Sequence, residues 1–298
     1  MTGSPRKLQP EASRTGPSGQ AFEPGLYVVS TPIGNLRDIT LRALDVLAGA
    51  DLVLAEDTRV TRRLLDAYEI DARLQSYHDH NGEKIRPIVL ERLEEGARIA
   101  LVSDAGTPLI SDPGFKLARD VIEAGYEVIA IPGASAVLSA LCIAGLPTDS
   151  FTFAGFPPPK TSARESWMEG FATAKSTLVF YEGASRVPDC LASAARIFGD
   201  RQGAVCRELT KLHEEARRGT LAELAAEFAQ SGAPRGEVVI VIGPPSDDSW
   251  DQDRIDKALA IALAEMRIKD ASALVAEQSG WPRRDVYARA LALKDASR

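Results

Sequence analysis

Cysteine, long apolar runs and positive charge are all scarce in this 298-residue chain, and each scarcity argues against a class of protein. The three cysteines, Cys142, Cys190 and Cys206, stand far apart. That spacing fits reduced cytosolic thiols better than a disulfide frame or a zinc site. No apolar run approaches the roughly 20 residues needed to cross a bilayer. The opening MTGSPRKLQPEASRTGPSGQAFEPG has no apolar core and so does not read as a secretory signal. Its Pro, Gly, Ser and charge content predicts a disordered tail over residues 1–24. Positive charge is lacking too. The formal net charge is −7, so bulk charge gives no support to nucleic-acid binding. Residues 25–250 carry 23 Lys and Arg against 32 Asp and Glu, whereas residues 251–298 carry nine against eight. The C-terminal segment is thus the only long part not dominated by acid. Neither Gly-x-Gly-x-x-Gly after the first strand nor Gly-x-x-x-x-Gly-Lys-Ser/Thr occurs, so the usual cradles for a pyrophosphate are missing.

What is present is an ordinary globular composition, 45% hydrophobic and 26% charged, with length for two modest domains and an appendage. GLYVVSTPIGN reads as an apolar strand and a Pro/Gly turn, DITLRALDVLAGA as a helix capped by Thr40, DLVLAEDTRV as a second strand ending in Glu56-Asp57, and TRRLLDAYEI as a helix. RIALVSDAGTP is a third strand with its loop, GFKLARDVIEAG a helix, and YEVIAIPGASA a fourth strand leading into a small-residue helix that ends at Ala144. Strands apolar on both faces, alternating with helices, predict a mainly parallel sheet covered by helices over residues 25–146.

GLPTDSFTFAGFPPPK breaks that rhythm and marks a crossover into a second α/β domain, residues 147–245, with strands STLVFYE, GAVCREL and GEVVIVIG and helices around 186–198 and 220–230. PPSDDSWD reads as a linker. Residues 250–298 read as helices, the middle one bounded by Asp270 as cap and Gly280 as stop.

Ligands of open parallel sheets bind at the carboxyl ends of the strands. Three loops meet that description: Thr31 to Asn35, Ser103 to Pro108, and Pro132 to Ala136. Singly, each reads as a tight strand-to-helix turn; three on one sheet edge read as a site. A ligand with an adenine, a ribose, a cationic centre and an amino-acid end suits them better than a phosphate. Asp104 would face a hydroxyl or cation, Gly106 permits close backbone approach, and Ser135 with the amides of GASA would take polar ends.

The stretches LYVVSTPIGNLRDIT, AEDTRVTRRLL, SYHDHN, LVSDAGTPLISDPG, IPGASA, GLPTDSFTFAGF and RELTKLHEEARRGTL, in this order, closely resemble the ribosomal RNA small subunit methyltransferase I family of the tetrapyrrole-methylase superfamily, the class III methyltransferases. The resemblance spans roughly residues 25–295. It implies two α/β domains with an S-adenosylmethionine cleft between them, and 2′-O-methylation of a decoding-centre cytidine of 16S rRNA in the 30S subunit by a cytoplasmic homodimer. Carried over residue by residue, it implies cofactor contacts at Ile33, Gly34, Asp104, Gly106, Thr107, Ser135 and Ala136, with Phe180 and Tyr181 closing over the cofactor and Gly236-Glu237 nearby. The family usually carries Glu-Ser-Pro-His-Arg after the TLVFYE strand. Here the run is Glu182-Gly183-Ala184-Ser185-Arg186, so neither that Pro nor that His is essential to the chemistry.

Methyl transfer to a ribose hydroxyl needs orientation, a dry site and a hydrogen-bond acceptor for the hydroxyl. Glu56, Asp57 and Arg59, at the end of the second strand, are the catalytic candidates, although Asp57 also suits a helix cap and Arg59, Arg62 and Arg63 a solvated helix face. His80, Asn81, Glu208 and Lys211 are further candidates for the site, His80, Asn81 and Lys211 among them for RNA contact. His78-x-His80 lacks an evident third ligand, so no metal is expected. His213 reads as a surface or dimer residue, and the aromatics of SFTFAGF as core. The terminal helices have helix-turn-helix-like spacing. The last one bears Arg283, Arg284 and Arg289, fit either to lie on an RNA backbone or to brace a dimer. Two rival functions share these features: a tetrapyrrole methyltransferase with the same fold and donor, and a non-catalytic nucleic-acid-binding protein.

Overall fold

Leu26 packs into one hydrophobic cluster and Tyr27 with Val29 into another, and Leu52-Val53-Leu54-Ala55 and Ile99-Ala100-Leu101-Val102 alternate between the same two clusters. Such a strand must be covered on both faces. The computed structural model describes residues 22–245 and 252–296. Most of the expected tail, residues 1–21, and residues 246–251 of the expected linker lie outside that range. The chain divides into two compact units, Met1–Gly243 and Pro244–Arg298.

In the larger unit, β1 (Gly25–Val29), β2 (Leu52–Ala55), β3 (Leu74–Ser76), β4 (Arg98–Val102) and β5 (Val128–Ile131) form a wholly parallel sheet in the order β3-β2-β4-β1-β5. Helices α1 (Leu41–Gly49) and α2 (Thr58–Ala67) cover one face, where Tyr27, Val29, Val53 and Ala55 meet Val46, Leu47 and Leu65. Helices α3 (Gly82–Glu94) and α4 (Phe115–Glu123) cover the other, where Leu26, Leu54, Ile99 and Leu101 meet Val89, Leu93, Leu117 and Val121. Thr40 caps α1 through a 3.1 Å bond from the Ala43 amide, as its position suggests.

The second sheet is built differently. Its strands are β6 (Phe151–Phe153), β7 (Thr177–Gly183), β8 (Gln202–Arg207), β9 (Glu215–Thr220) and β10 (Glu237–Ile242), in the order β6-β7-β10-β8-β9. Only the β6–β7 pair is parallel. Helices α6 (Thr161–Glu169), α7 (Val187–Phe198) and α8 (Leu221–Ser231) supply its outer cover, through Met168, Leu191, Ala194, Leu224 and Phe228.

Helix α5 (Ala136–Ala144) follows β5 in sequence but packs on the second sheet. Its Val137, Ala140, Leu141 and Ala144 join Val179, Ala204, Cys206, Val239 and Val241 in one cluster, which also takes in Ile33. This shared core locks the carboxyl ends of the parallel strands against β7 and β10.

The smaller unit holds α9 (Gln252–Glu265), α10 (Ile268–Ser279) and α11 (Arg283–Ala296) around Ile255, Leu259, Val275, Val286 and Ala290. Gly280 ends α10 in the left-handed region, φ 70°. Asp270 does not cap α10. Arg267 holds that position, and Asp270 lies in the first turn, where a carboxylate favours the helix dipole. Among the described residues no helix is long and apolar enough to cross a membrane.

Candidate functional site

The carboxyl ends of β1, β2, β4 and β5 open onto one cleft of about 770 Å³, faced from the second sheet by β7 and the start of β10. Four cross-links hold its floor. The Thr31 and Gly106 backbones pair at 2.8 and 3.1 Å. The Ser30 and Thr107 hydroxyls share a hydrogen bond of 2.9 Å. The Thr31 hydroxyl donates to the Ser103 carbonyl at 3.2 Å, and the Asp57 amide donates to Asp104 Oδ1 at 3.0 Å. The loop after β4 holds two non-glycine residues in the left-handed region, Leu109 at φ 74° and Ser111 at φ 64°. Such strain collects where the surrounding structure must hold a loop in one shape.

The charge on the cleft has one sign. The carboxylates of Glu56, Asp104, Asp112 and Glu237 line it, and among the described residues no lysine, arginine or histidine does. Burial, followed by the nearby Asp104, Asp112, Asp79 and Asp57, raises the Glu56 pKa above the ordinary glutamate value. Burial likewise raises Asp112, with Asp104 adding to it. Tyr181 is raised by burial and then by Asp112 and Glu237. A site whose own carboxylates repel one another is prepared for a cation and hostile to a phosphate.

A second, smaller pocket of about 280 Å³ adjoins the cleft. The two share Asp104, Ala105 and Glu237. The smaller pocket lies between the Thr31–Gly34 loop, the start of α2 and Lys211.

Of the residues singled out in the sequence, Asp104, Gly106, Thr107, Ser135, Ala136, Tyr181, Gly236 and Glu237 line the larger cleft. Gly34 lines the smaller pocket instead, and so does Ile33, which also packs in the shared core. Phe180 does not reach the cleft. Side chains alternate along β7, so Tyr181 faces the cleft while Phe180 is fully buried against Trp167. Of the catalytic candidates, Glu56 lines the cleft. Asp57 caps α2, accepting from the Arg59 amide at 2.8 Å, and binds the Arg59 guanidinium at 2.6 Å. The hydrogen bonds from Arg59 hold its pKa down to about 2.

His80 is exposed and lies edge-on to His78, 5.9 Å between ring centres. Asn81 is engaged locally, accepting from the His78 amide and donating to the Ser76 carbonyl, each at 2.9 Å. His213 is exposed. Lys211 reaches the smaller pocket. Arg283 and Arg284 are exposed on α11, whereas Arg289 is held by Asp256 through two bonds of 2.6 Å.

Three lining residues carry no clear mark in the sequence. Asp112 reads there as a turn former. Phe156 reads as core, yet it is 55% exposed and packs at a tilt against Tyr181 with ring centres 5.3 Å apart; Phe153 does pack in the shared core. Glu182 borders the cleft, but its side chain turns away with that of Phe180 to lie beside Cys190, where it accepts from the Gly183 amide and Arg186, both at 2.7 Å, within the run that departs from the family pattern.

Fold and cleft together define a methylase of the tetrapyrrole type. Residues 25–225 match the family described as Tetrapyrrole (Corrin/Porphyrin) Methylases, and residues 248–294 match an RsmI C-terminal HTH domain. Among solved structures, diphthine synthase superposes with a TM-score of 0.57 at 15% identity, over 73% of this chain and 89% of that one. A uroporphyrin-III C-methyl transferase from Thermus thermophilus complexed with S-adenyl homocysteine superposes with a TM-score of 0.52 at 20% identity, over 74% and 97%. The fold is therefore shared. Relatives named ribosomal RNA small subunit methyltransferase I are nearer in sequence. The protein of Mesorhizobium japonicum is 46% identical over 93% of this chain and 94% of its own length. That of Haemophilus influenzae is 42% identical over 90% and 96%. The chain belongs to the ribosomal RNA small subunit methyltransferase I family.

Proposed function

We propose that this protein is an S-adenosylmethionine-dependent methyltransferase that methylates the ribose 2′-hydroxyl of a decoding-centre cytidine in 16S rRNA, with the assembled 30S subunit as substrate. The observation that carries the reading is the larger cleft, where the carboxylates of Glu56, Asp104, Asp112 and Glu237 and, among the described residues, no basic side chain gather at the ends of parallel strands. Its volume falls within the range of sites that enclose a cofactor. A sulfonium donor with an α-amino group brings positive charge, which such a lining attracts and a phosphate-bearing nucleotide would not exploit. When bound, S-adenosylmethionine supplies an activated methyl group on sulfur.

The chain's own residues do the rest. Asp104, Asp112 and Glu56 hold the cationic ligand, Ser135 and the loop amides take its polar ends, and Tyr181 with Phe156 shields it from water. Asp104 and Glu237 stand where the two pockets meet, so a hydroxyl entering from the smaller pocket finds a carboxylate as hydrogen-bond acceptor there. Asp57 and Arg59 fix the start of α2 and, through the Asp57 amide, the position of Asp104. Exposed Arg283 and Arg284 on α11 are fit to meet RNA phosphates. The enzyme is read as a cytoplasmic homodimer, the state the family resemblance implies.

A tetrapyrrole acceptor is disfavoured by the match of the C-terminal unit and by the identity to the rRNA methyltransferases. Mass spectrometry of rRNA from 30S particles incubated with the pure enzyme and donor tests the reading. One added methyl on a cytidine ribose of 16S rRNA is expected. Absence of any ribose methylation, or methylation of a tetrapyrrole instead, overturns it.

A further inference from the structure

The smaller pocket differs in kind from the cleft beside it. Its charged lining is balanced, Arg63 and Lys211 against Asp104 and Glu237, and Val60, Leu64 and Ile33 add apolar wall. At about 280 Å³ it stands at the floor of the range for small-molecule sites. A polycarboxylate macrocycle is too large for it and would face two carboxylates. A phosphate would meet those same carboxylates as well as the two cations, with no net attraction. A neutral ring bearing hydroxyls fits both the size and the charge.

Lys211 is fixed with unusual care. The loop that carries it puts two non-glycine residues in the left-handed region, Glu208 at φ 50° and Thr210 at φ 65°. Thr210 Oγ1 accepts from the Asn35 amide at 3.1 Å, tying this loop to the one after β1. The Lys211 stem lies directly on Gly34, where a Cβ would come within 2.4 Å of its Cγ. Gly236, at φ 87°, leaves room for Glu208, whose Oε1 would stand 2.0 Å from a Cβ there. The ammonium donates to Glu208 at 2.9 Å and Glu237 at 2.8 Å. Burial acts to lower its pKa, but these two bonds outweigh burial and the net shift is upward, so Lys211 is a fixed cation and not a base. An ammonium has three donors; two are taken, and one remains for a ligand.

We propose that the smaller pocket receives the acceptor nucleoside, as a neutral base-and-sugar unit turned out of its strand, and that Lys211 holds it by donating to one of its oxygens. This rests on the ribose-methylation reading above. The shared rim then delivers the sugar hydroxyl to the cleft at Asp104 and Glu237.

The test compares wild type, Val60→Trp, Lys211→Ala and Lys211→Arg by calorimetric titration with S-adenosylmethionine, melting temperature, and single-turnover methyl transfer to 30S particles. Val60→Trp fills the pocket and Lys211→Ala removes the donor. Val60→Trp is expected to melt as wild type does and Lys211→Ala, which loses two charged hydrogen bonds, somewhat lower; both are expected to bind the methyl donor as wild type does, while transfer slows by about ten-fold or more, the scale of losing one charged hydrogen bond. Lys211→Arg is expected to recover part of that rate. Wild-type transfer by both Val60→Trp and Lys211→Ala overturns the proposal. So does a loss of donor affinity in step with transfer, which would assign the pocket to the methyl donor. Failure of the ribose-methylation reading is distinguishable, because it appears in the wild type, as donor binding without any ribose methylation of 30S particles.

Discussion

The two adjoining cavities share Asp104, Ala105 and Glu237 and differ in size and in the balance of their charge. The larger is bounded by carboxylates alone among its charged groups; the smaller sets two cations against two anions. The difference teaches how one sheet edge can separate a charged ligand from a neutral one without a partition. Strand ends supply carboxylates to one side, while the Lys211 loop of the second sheet and the first turns of α2 supply cations to the other. Asp104 and Glu237 stand on the boundary and belong to both.

The largest effect is expected at that boundary. Asp104→Asn keeps an oxygen to accept from the Asp57 amide but removes charge from both cavities. Affinity for S-adenosylmethionine should fall about 10- to 100-fold, the scale of removing one charged hydrogen bond, and transfer should fall further. Calorimetry and single-turnover kinetics check the two losses, and an effect on one cavity only would break the idea of a shared rim.

A smaller effect belongs to the larger cleft alone. Glu56 has a raised pKa, so it takes up a proton at a higher pH than an ordinary glutamate. Donor affinity should therefore weaken on acidification while the pH is still above the ordinary glutamate range. In Glu56→Gln affinity should be lower at neutral pH, and its decline should shift toward ordinary carboxylate values. The stability effect has the opposite sign. The folded protein holds the Glu56 proton more tightly than the unfolded chain does, so the group costs stability as pH rises through its folded value. Glu56→Gln should melt slightly higher than wild type at neutral pH without ligand. A lower melting temperature would contradict the repulsion inferred from the lining.

The smallest effect lies in the other unit. Arg283→Ala with Arg284→Ala should leave donor binding unchanged, weaken 30S binding, and flatten its logarithmic salt dependence by roughly 0.7–0.9 for each phosphate that is no longer neutralised. An unchanged salt slope would assign α11 a structural role.

Much of this was legible in the sequence because apolar strands and turn residues declare themselves. β1, β2, β4, β5, β7, β8 and β10 all fall on apolar runs, and their loops carry most of the cleft. What stayed hidden had weak local signals. β3 and β6 are three residues long. Pro87 lies inside α3, and β9 reads EARRGT, polar enough to pass for a loop. That Tyr181 faces the cleft and Phe180 does not turns on strand phase, which a motif match does not report. The smaller pocket is assembled from residues as distant as Gly34 and Lys211, and strain at Glu208 and Thr210 leaves no mark in composition. Asp112 belongs to the SDAGTPLISDPG motif, but its facing toward Glu56 and Tyr181 is a tertiary fact.

The most direct measurement is a crystal structure of the protein soaked with S-adenosylhomocysteine. The sulfur is expected in the larger cleft beside the Ser103–Thr107 loop, with Asp104 near it and the smaller pocket left open. Electron density for the ligand in the smaller pocket, or outside both cavities, would contradict the division of labour between them.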